Sequence, residues 1–188
     1  WGSSMLDPTF GRLVGGIYDA VVDPTLWSDA IDAIRREFRF HIAVMAVVKL
    51  PGGEFVVHAA NNIPDQFLST FAQYGEDIIE MWGGTQAVAR LPLEEPMVMT
   101  EVRPIHLWQH IRYYTEWIKP QGLVDQVAMV LANDRTTNAN LGLGCHASRG
   151  PVEPETLADL RLLAPHLRRA VNISRLLEIH VEKRAGEA

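Results

Sequence analysis

Cysteine is almost missing from this sequence of 188 residues, which contains a single one, Cys145. One thiol excludes an intrachain disulfide, and such low cysteine usage is typical of proteins in a reducing compartment. Long apolar runs are missing as well, and none approaches the ~20 residues that a membrane-spanning helix needs. The first residues also lack a basic segment followed by an apolar one, so no signal peptide is indicated. We therefore expect a cytoplasmic chain that does not contact a membrane.

Positive charge is the next shortage. Lys and Arg number 17 against 23 Asp and Glu, which gives a formal net charge of -6 at pH 7. An excess of negative charge disfavours a surface that holds phosphate groups, so this chain is not expected to bind nucleic acid by itself. The sequence also has no phosphate-loop glycine motif, no nucleophile-elbow serine and no recognisable pair of catalytic carboxylates. It therefore predicts neither an enzyme nor a bound cofactor.

Apolar residues, in contrast, make up 47% of the chain, which is enough for a well-buried core. The length suits one domain with helical extensions. Trp1–Ser4 precede Met5 and are interpreted as an expression-vector remnant. We divide the remainder into N-terminal helices over 5–40, a core over 41–150 and a C-terminal helix over 151–188.

Helical spacing marks both ends of the chain. Apolar residues recur at steps of three and four over Phe10–Val21. Asp23-Pro24 then has the N-cap and first-turn residues of a second helix, whose apolar stripe runs through 27–38. A long third helix is predicted from about Glu153 into the 180s.

Between these helices, β-branched and apolar runs predict two hairpins. Ile42–Leu50 and Glu54–Ala60 flank a Pro-Gly-Gly turn, and Val124–Leu131 and Ala139–Ala147 flank a polar turn. In the last of these strands, apolar residues alternate with Asn140 and glycines, so one face is expected to be buried.

The segment between the hairpins predicts several helices, one of them from Pro104 to about Lys119, and a short strand over Glu95–Thr100. Two hairpins separated by helices predict an α+β fold. We expect an antiparallel sheet covered by helices, with the N- and C-terminal helices forming a helical bundle. The passage from the second strand to the later strands through helices is typical of PAS and GAF folds.

Three segments resemble the N-terminal regions of bacterial LuxR-type helix-turn-helix regulators. Ile17–Trp27 resembles their opening, Tyr113–Leu123 their middle and Pro165–Ala170 the stretch that closes the domain. The resemblance implies a PAS/GAF-like sensory core over 41–150 and a DNA-binding helix-turn-helix beyond Ala188, outside this chain. It implies no particular ligand, and the Trp-x-x-Tyr and Asp-Pro arrangement of acyl-homoserine-lactone receptors is not found.

A cluster of aromatic residues on the predicted helices is the candidate ligand site. The resemblance implies a ligand between sheet and helices, and pockets for small apolar molecules are lined by such rings. The candidate lining residues are Phe71, Trp82, Trp108, Tyr113, Tyr114 and Trp117. The glycines of the last strand leave room for a ligand or for a packed helix. The alternative is that the rings only form the core.

Two weaker signals concern metal and thiol chemistry. His106 and His110 are four residues apart on a predicted helix, a spacing that suits metal or haem ligands, but two ligands are too few for a structural zinc site. We favour two surface or half-buried histidines and predict no tightly bound transition metal. Cys145 lies on the apolar face of its strand, so we expect a buried thiol rather than a nucleophile.

The final helix carries an apolar stripe with alternating steps of three and four, the spacing of a coiled-coil seam. The residues predicted to join two copies of the chain in a homodimer are Leu160, Leu163, Leu167, Leu177 and Val181. The alternative is that this stripe covers the sheet of its own domain.

These observations predict a sensory domain that binds a small apolar or aromatic molecule and passes the change through its terminal helices to a DNA-binding domain. Its expected partners are a second copy of the chain, the small molecule and, only through the further domain, DNA. The main alternative is a dimerisation or protein-interaction module without a ligand, and a haem sensor or an enzyme is a weaker one.

Overall fold

The computed structural model describes residues 7–186, with side chains up to residue 175. Its helices and strands, in chain order, are α1 (Pro8–Val22), α2 (Trp27–Glu37), β1 (Ile42–Lys49), β2 (Glu54–Asn61), α3 (Asp65–Leu68), α4 (Gly75–Met81), α5 (Thr85–Ala89), β3 (Met97–Val98), α6 (Met99–Val102), β4 (Leu123–Asn133), β5 (Thr137–His146) and α7 (Pro154–Gly186). The connections contain 3-10 turns at Pro24–Leu26, Phe71–Tyr74, Ile105–Leu107 and Lys119–Gln121, and a π-helix at Tyr113–Ile118.

The N-terminal helices begin at aspartate caps. The Asp7 carboxylate accepts a hydrogen bond from the Thr9 amide at 2.9 Å, immediately before α1. Asp23 accepts from the Thr25 amide at 3.1 Å, and the short turn that it caps leads into α2. The buried residues of both helices follow the three- and four-residue spacing, so both predicted helices are confirmed.

The five strands form one antiparallel sheet in the order β2-β1-β5-β4-β3. Both predicted hairpins are present, β1 with β2 and β4 with β5, and β1 pairs with β5 between them. After β2 the chain leaves one edge of the sheet, passes through α3, α4 and α5, and enters β3 at the other edge. The predicted α+β fold with an antiparallel sheet covered by helices is confirmed.

Strand alternation divides the interior into two apolar cores, one on each face of the sheet. On one face, Met45, Met129 and Leu141 pack with α1, α2 and α7, and α1 packs on both of the other helices. On the other face, Val44 and Val130 pack against residues 62–121, which we call the connecting segment. The sheet is therefore the middle of three layers, with the terminal helices on one side and the connecting segment on the other.

The predicted helix over Pro104–Lys119 is wrong, because the structure has a 3-10 turn, a loop and the π-helix in its place. Trp108 and Trp117 explain the break. Nine residues apart, they would lie on opposite sides of a straight α-helix, yet each is only 1% exposed. The Trp108 indole also donates to the Arg103 carbonyl at 2.8 Å, which stabilises the turn before the π-helix.

The predicted strand over Glu95–Thr100 is shorter than expected, because only Met97–Val98 is extended before the chain enters α6. Asp125 on β4 accepts hydrogen bonds from both the amide and the hydroxyl of Thr100. These bonds hold the start of α6 against the sheet.

The predicted C-terminal helix is confirmed as α7, which spans 33 residues and continues through Pro165. Of the helices in the described residues, none combines the length and the apolarity needed to cross a bilayer.

Candidate functional site

A cavity of about 80 Å³ lies between the sheet and the connecting segment. Its floor is the face of β1, β4 and β5 on which Val44, Ala46 and Val130 lie. Its roof comes from the 3-10 turn that begins at Phe71, from α4 and from the π-helix. Long paired strands therefore form one wall, and short helical elements form the other.

Four of the six candidate aromatic residues line this cavity, and two do not. The lining residues are Phe71, Trp82, Tyr113 and Trp117. Trp108 and Tyr114 instead pack edge to face on each other, with ring centroids 5.2 Å apart. The break before the π-helix directs Trp108 into the surrounding core rather than into the cavity wall.

The roof rings pack on one another. Tyr113 and Trp117 stack with centroids 5.2 Å apart and an interplanar angle of 24°, and Phe71 lies 5.1 Å from Trp117. The Trp117 indole donates to the Phe67 carbonyl at 2.7 Å, which fixes the orientation of that ring. The roof is therefore an ordered aromatic surface.

Polar contacts join the separate elements of the roof. The Tyr74 hydroxyl donates to the Glu116 carboxylate at 3.0 Å, and Arg112 forms an ion pair with Asp77 at 2.8 Å. Both contacts connect the region of α4 to the π-helix. These two contacts join the roof elements to each other.

The floor also carries polar side chains, of which Asn138 and Gln126 were not expected at the site from the sequence. Both line the cavity together with Asn140. Asn138 is 2% exposed, its Oδ1 accepts from the Asn140 amide at 3.0 Å, and its Nδ2 has no partner in the described part of the chain. The sequence suggests a polar turn at Asn138. The alternation of the last strand could have placed it at the site, because Asn138 precedes Asn140 by two residues and therefore lies on the same strand face.

Two strand glycines shape the floor in different ways. A Cβ at Gly142 would meet only the Val44 carbonyl oxygen, at 3.9 Å, so the missing side chain leaves open space. A Cβ at Gly144 would come within 2.5 Å of the Ile42 side chain, so this glycine allows close packing. Both residues line the cavity. The close neighbour of Gly144 is a side chain of β1 and not the packed helix that was one of the two expectations for these glycines.

The cavity wall carries no formal charge within the described residues. Its side chains are apolar, amide or aromatic, and Tyr113 is the one ionisable group among them. Burial raises the pKa of the Tyr113 hydroxyl above its ordinary value, so this group stays neutral in the physiological range.

The other candidate residues lie away from the cavity. His106, in a 3-10 turn, and His110, in the loop after it, are both exposed and share no regular helix. In the described ranges, no three His, Cys, Asp or Glu side chains converge to hold a metal ion.

Cys145 is 1% exposed in the core with the terminal helices, and burial raises the pKa of its thiol to about 12. The prediction of a buried thiol is confirmed, and the raised pKa disfavours the nucleophilic thiolate.

The first part of the predicted seam in α7 is buried inside the chain. Leu160, Leu163 and Leu167 are each 0% exposed and belong to the core with α1, α2 and the sheet. They cover the core of their own domain, as the alternative interpretation has it, and offer no surface to a second copy. The side chains of Leu177 and Val181 lie outside the described residues.

No protein-family model and no curated protein matches the sequence. Solved structures do match. The LBD domain of VqsR from Pseudomonas aeruginosa has 12% sequence identity and a TM-score of 0.69, with 89% of this chain and 97% of that chain covered.

Two further structures have a similar fold. The N-acylhomoserine-lactone-dependent LuxR-family transcription factor CepR2 from Burkholderia cenocepacia has 14% identity and a TM-score of 0.59, with 88% of this chain and 94% of that chain covered. The phycoerythrobilin-bound GAF domain of a cyanobacterial phytochrome has 14% identity and a TM-score of 0.60, with 90% of this chain and 96% of that chain covered. At such low sequence identities the similarity shows the fold alone. This fold agrees with the PAS/GAF-like fold that the sequence resemblance implied. The chain thus has the PAS/GAF-like fold of the sensory domains of LuxR-type regulators.

Proposed function

We propose that this chain is the ligand-sensing regulatory domain of a cytoplasmic bacterial transcription regulator. The observation that carries the proposal is the uncharged cavity between the floor strands and the aromatic roof. Two proteins of similar fold support a small-molecule site: CepR2 depends on an N-acylhomoserine lactone, and the phytochrome GAF domain binds phycoerythrobilin. The fold similarity supports the presence of a ligand, and the cavity supports a position for it between the sheet and the roof.

The cavity favours a small, mostly apolar or aromatic ligand. Its volume of about 80 Å³ is smaller than the ~150 Å³ cavity that accommodates benzene in another protein. A ligand of that size therefore needs an outward movement of the roof, whose short elements are joined to one another. Binding and displacement of the connecting segment are coupled in this proposal.

The sheet connects the cavity to the terminal helices. Val44 and Gly142 face the cavity, whereas their neighbours Met45 and Leu141 belong to the core with α1, α2 and α7. A ligand that displaces the floor strands therefore changes the packing of α7, and in this proposal α7 passes the change to a DNA-binding domain. The role is regulatory rather than catalytic, because the described cavity wall offers no acid–base pair and no activated nucleophile.

A homodimerisation module without a ligand is the second candidate. Leu162 and Ile173 on α7 are 36% and 38% exposed and, eleven residues apart, lie on the same side of the helix. In this candidate the cavity is only a packing defect, so small molecules leave the stability of the chain unchanged.

Filling the cavity distinguishes the two candidates. Millimolar acetophenone is expected to raise the melting temperature Tm of the wild-type chain, because a ligand that binds only the folded state stabilises it. Gly142→Leu places a side chain in the open space of the floor and is expected to lose most of this increase while it stays folded. Val124→Leu, at a residue of β4 that is 46% exposed, is the control and keeps the full increase. An equal increase in Gly142→Leu, or none in the wild type, contradicts the proposal.

A further inference from the structure

We propose that the pocket selects neutral molecules that carry a carbonyl or hydroxyl oxygen, which accepts a hydrogen bond from the Asn138 side-chain amide. This inference rests on the proposed function and names the chemical class of its ligand.

The unpaired NH2 group of Asn138 is the first observation. Asn138 lines the cavity and is 2% exposed, and its Nδ2 has no hydrogen-bond partner in the described residues. Buried amides without a partner are rare in folded proteins, because nothing compensates the loss of their hydration. A ligand oxygen at this end of the floor supplies the missing acceptor.

Asn140 determines which end of the Asn138 amide remains unpaired. The Asn140 amide donates to Asn138 Oδ1 at 3.0 Å, so the oxygen has a partner and the NH2 group does not. The two residues are two positions apart on β5 and therefore lie on the same face. A ligand whose apolar body packs on the aromatic roof and whose oxygen points to this amide matches both walls of the cavity.

Asn133 is the competing partner for Asn138 within the chain. The two residues are opposite each other in the β4–β5 register, and Asn133 Oδ1 is also buried with no hydrogen-bond partner among the described residues. The Asn133 amide, however, donates to the carbonyls of Val88 and Ala89 at 3.2 Å each, which holds it toward α5. The two asparagines form no hydrogen bond with each other in this arrangement.

The uncharged wall is the observation that restricts the ligand to neutral molecules. No Asp, Glu, Lys, Arg or His occurs among the described residues that line the cavity. An ionised ligand would lose its hydration there without gaining an opposite charge, which costs far more than burial of a neutral polar group.

Two probes of the same shape test the acceptor. Acetophenone has a carbonyl oxygen where α-methylstyrene has a CH2 group, and the Kd of each is measured by ligand-observed NMR titration. The variant Asn138→Leu keeps the number of side-chain heavy atoms but removes the donor. Because both probes have one shape, the ratio of their Kd values is insensitive to a change in cavity shape. We expect the preference for acetophenone to fall about 10-fold in the variant, the effect of one lost hydrogen bond.

Further readouts test neutrality and the pairing of Asn138. At concentrations at which acetophenone saturates the protein, benzoate is expected to bind neither the wild type nor the variant. Displacement of acetophenone by benzoate overturns the restriction to neutral ligands. The Tm of ligand-free Asn138→Leu is expected to fall no further than that of Asn140→Leu, because each variant removes the one hydrogen bond between the two side chains. A larger fall in Asn138→Leu indicates that Asn133 or another group also pairs with Nδ2 of Asn138 and overturns the inference.

The outcomes separate this inference from the function on which it rests. If both probes bind and their preference is unchanged in Asn138→Leu, the role of Asn138 is wrong and the pocket function stands. If neither probe binds the wild-type chain, the pocket function and the inference are both wrong.

Discussion

Arg149 is the least exposed cation in the described ion pairs, with 3% of its side chain exposed. It donates to the carbonyls of Phe38 and Pro151, at 3.1 and 3.0 Å, and to the Glu153 carboxylate at 2.8 Å. Its guanidinium also lies over the Phe40 ring, 5.0 Å from the ring centre. One side chain thus joins the end of α2 to the start of α7, and charge-assisted hydrogen bonds are the stronger ones in proteins.

The Glu153 carboxylate makes this junction sensitive to acid. Hydrogen bonds from its own backbone amide and from Arg149 lower the pKa of Glu153 from 4.5 to about 2. Because the pKa is lower in the folded state, the stabilisation is complete above about pH 4.5 and is lost as the pH falls towards 2. We expect the Tm of the wild type to fall more steeply between these pH values than the Tm of Glu153→Gln, measured by calorimetry. Parallel Tm curves would contradict this assignment.

Two residues of β5 show how far single residues could be predicted. Cys145 could be placed in the core because it shares a strand face with three apolar neighbours. Asn138 could not, because it follows five polar residues and is expected in a turn. Its burial depends on pairing with β1 and β4 on both sides of β5, which no local pattern reports.

Among the elements, the terminal helices could be predicted from their regular apolar period, and the four long strands from β-branched and apolar runs that turn residues separate. The segment over Pro104–Lys119 could not, because Trp108 and Trp117 are both buried on account of their tertiary surroundings. A π-helix in this position places Tyr113 and Trp117 together over the cavity, and π-helical turns occur frequently at functional sites. The type of secondary structure was therefore hardest to predict from the sequence in the roof of the candidate site.

The apolar stripe of α7 could be predicted from the sequence, but its packing partner, the core of its own domain, could not. Because Leu167 is 0% exposed, we expect Leu167→Ala to lower the free energy of unfolding by about 2–5 kcal/mol. The matched control is Leu107→Ala, at a position 43% exposed, with an expected loss below about 1 kcal/mol. Urea unfolding of both variants measures the difference, and similar losses would argue against the burial of the stripe.

At the scale of the whole molecule, we propose a homodimer that uses the outward side of α7 rather than the buried stripe. Among the described side chains of α7, Ile173 and Leu162 are the exposed apolar residues of that side. We expect light scattering to give twice the mass of one chain for the wild type and the mass of a single chain for Ile173→Glu, with an unchanged circular dichroism spectrum. Asn172→Glu adds the same charge at the neighbouring exposed position and should remain a dimer. A wild-type monomer at micromolar concentration would contradict the dimer.

The two faces of the sheet also bear on how such a domain can change over evolution. Along β1 and β5, residues of the cavity floor such as Ala46 and Gly142 alternate with residues of the helix-packing core such as Met45 and Leu141. Because the side-chain period of a strand is two, a substitution on one face leaves the chemistry of the other face intact. Under the proposed function, mutations can therefore exchange one recognised compound for another while the contacts with the terminal helices are inherited unchanged. The same alternation permits descendants of one ancestral sequence to respond to different compounds through a common output.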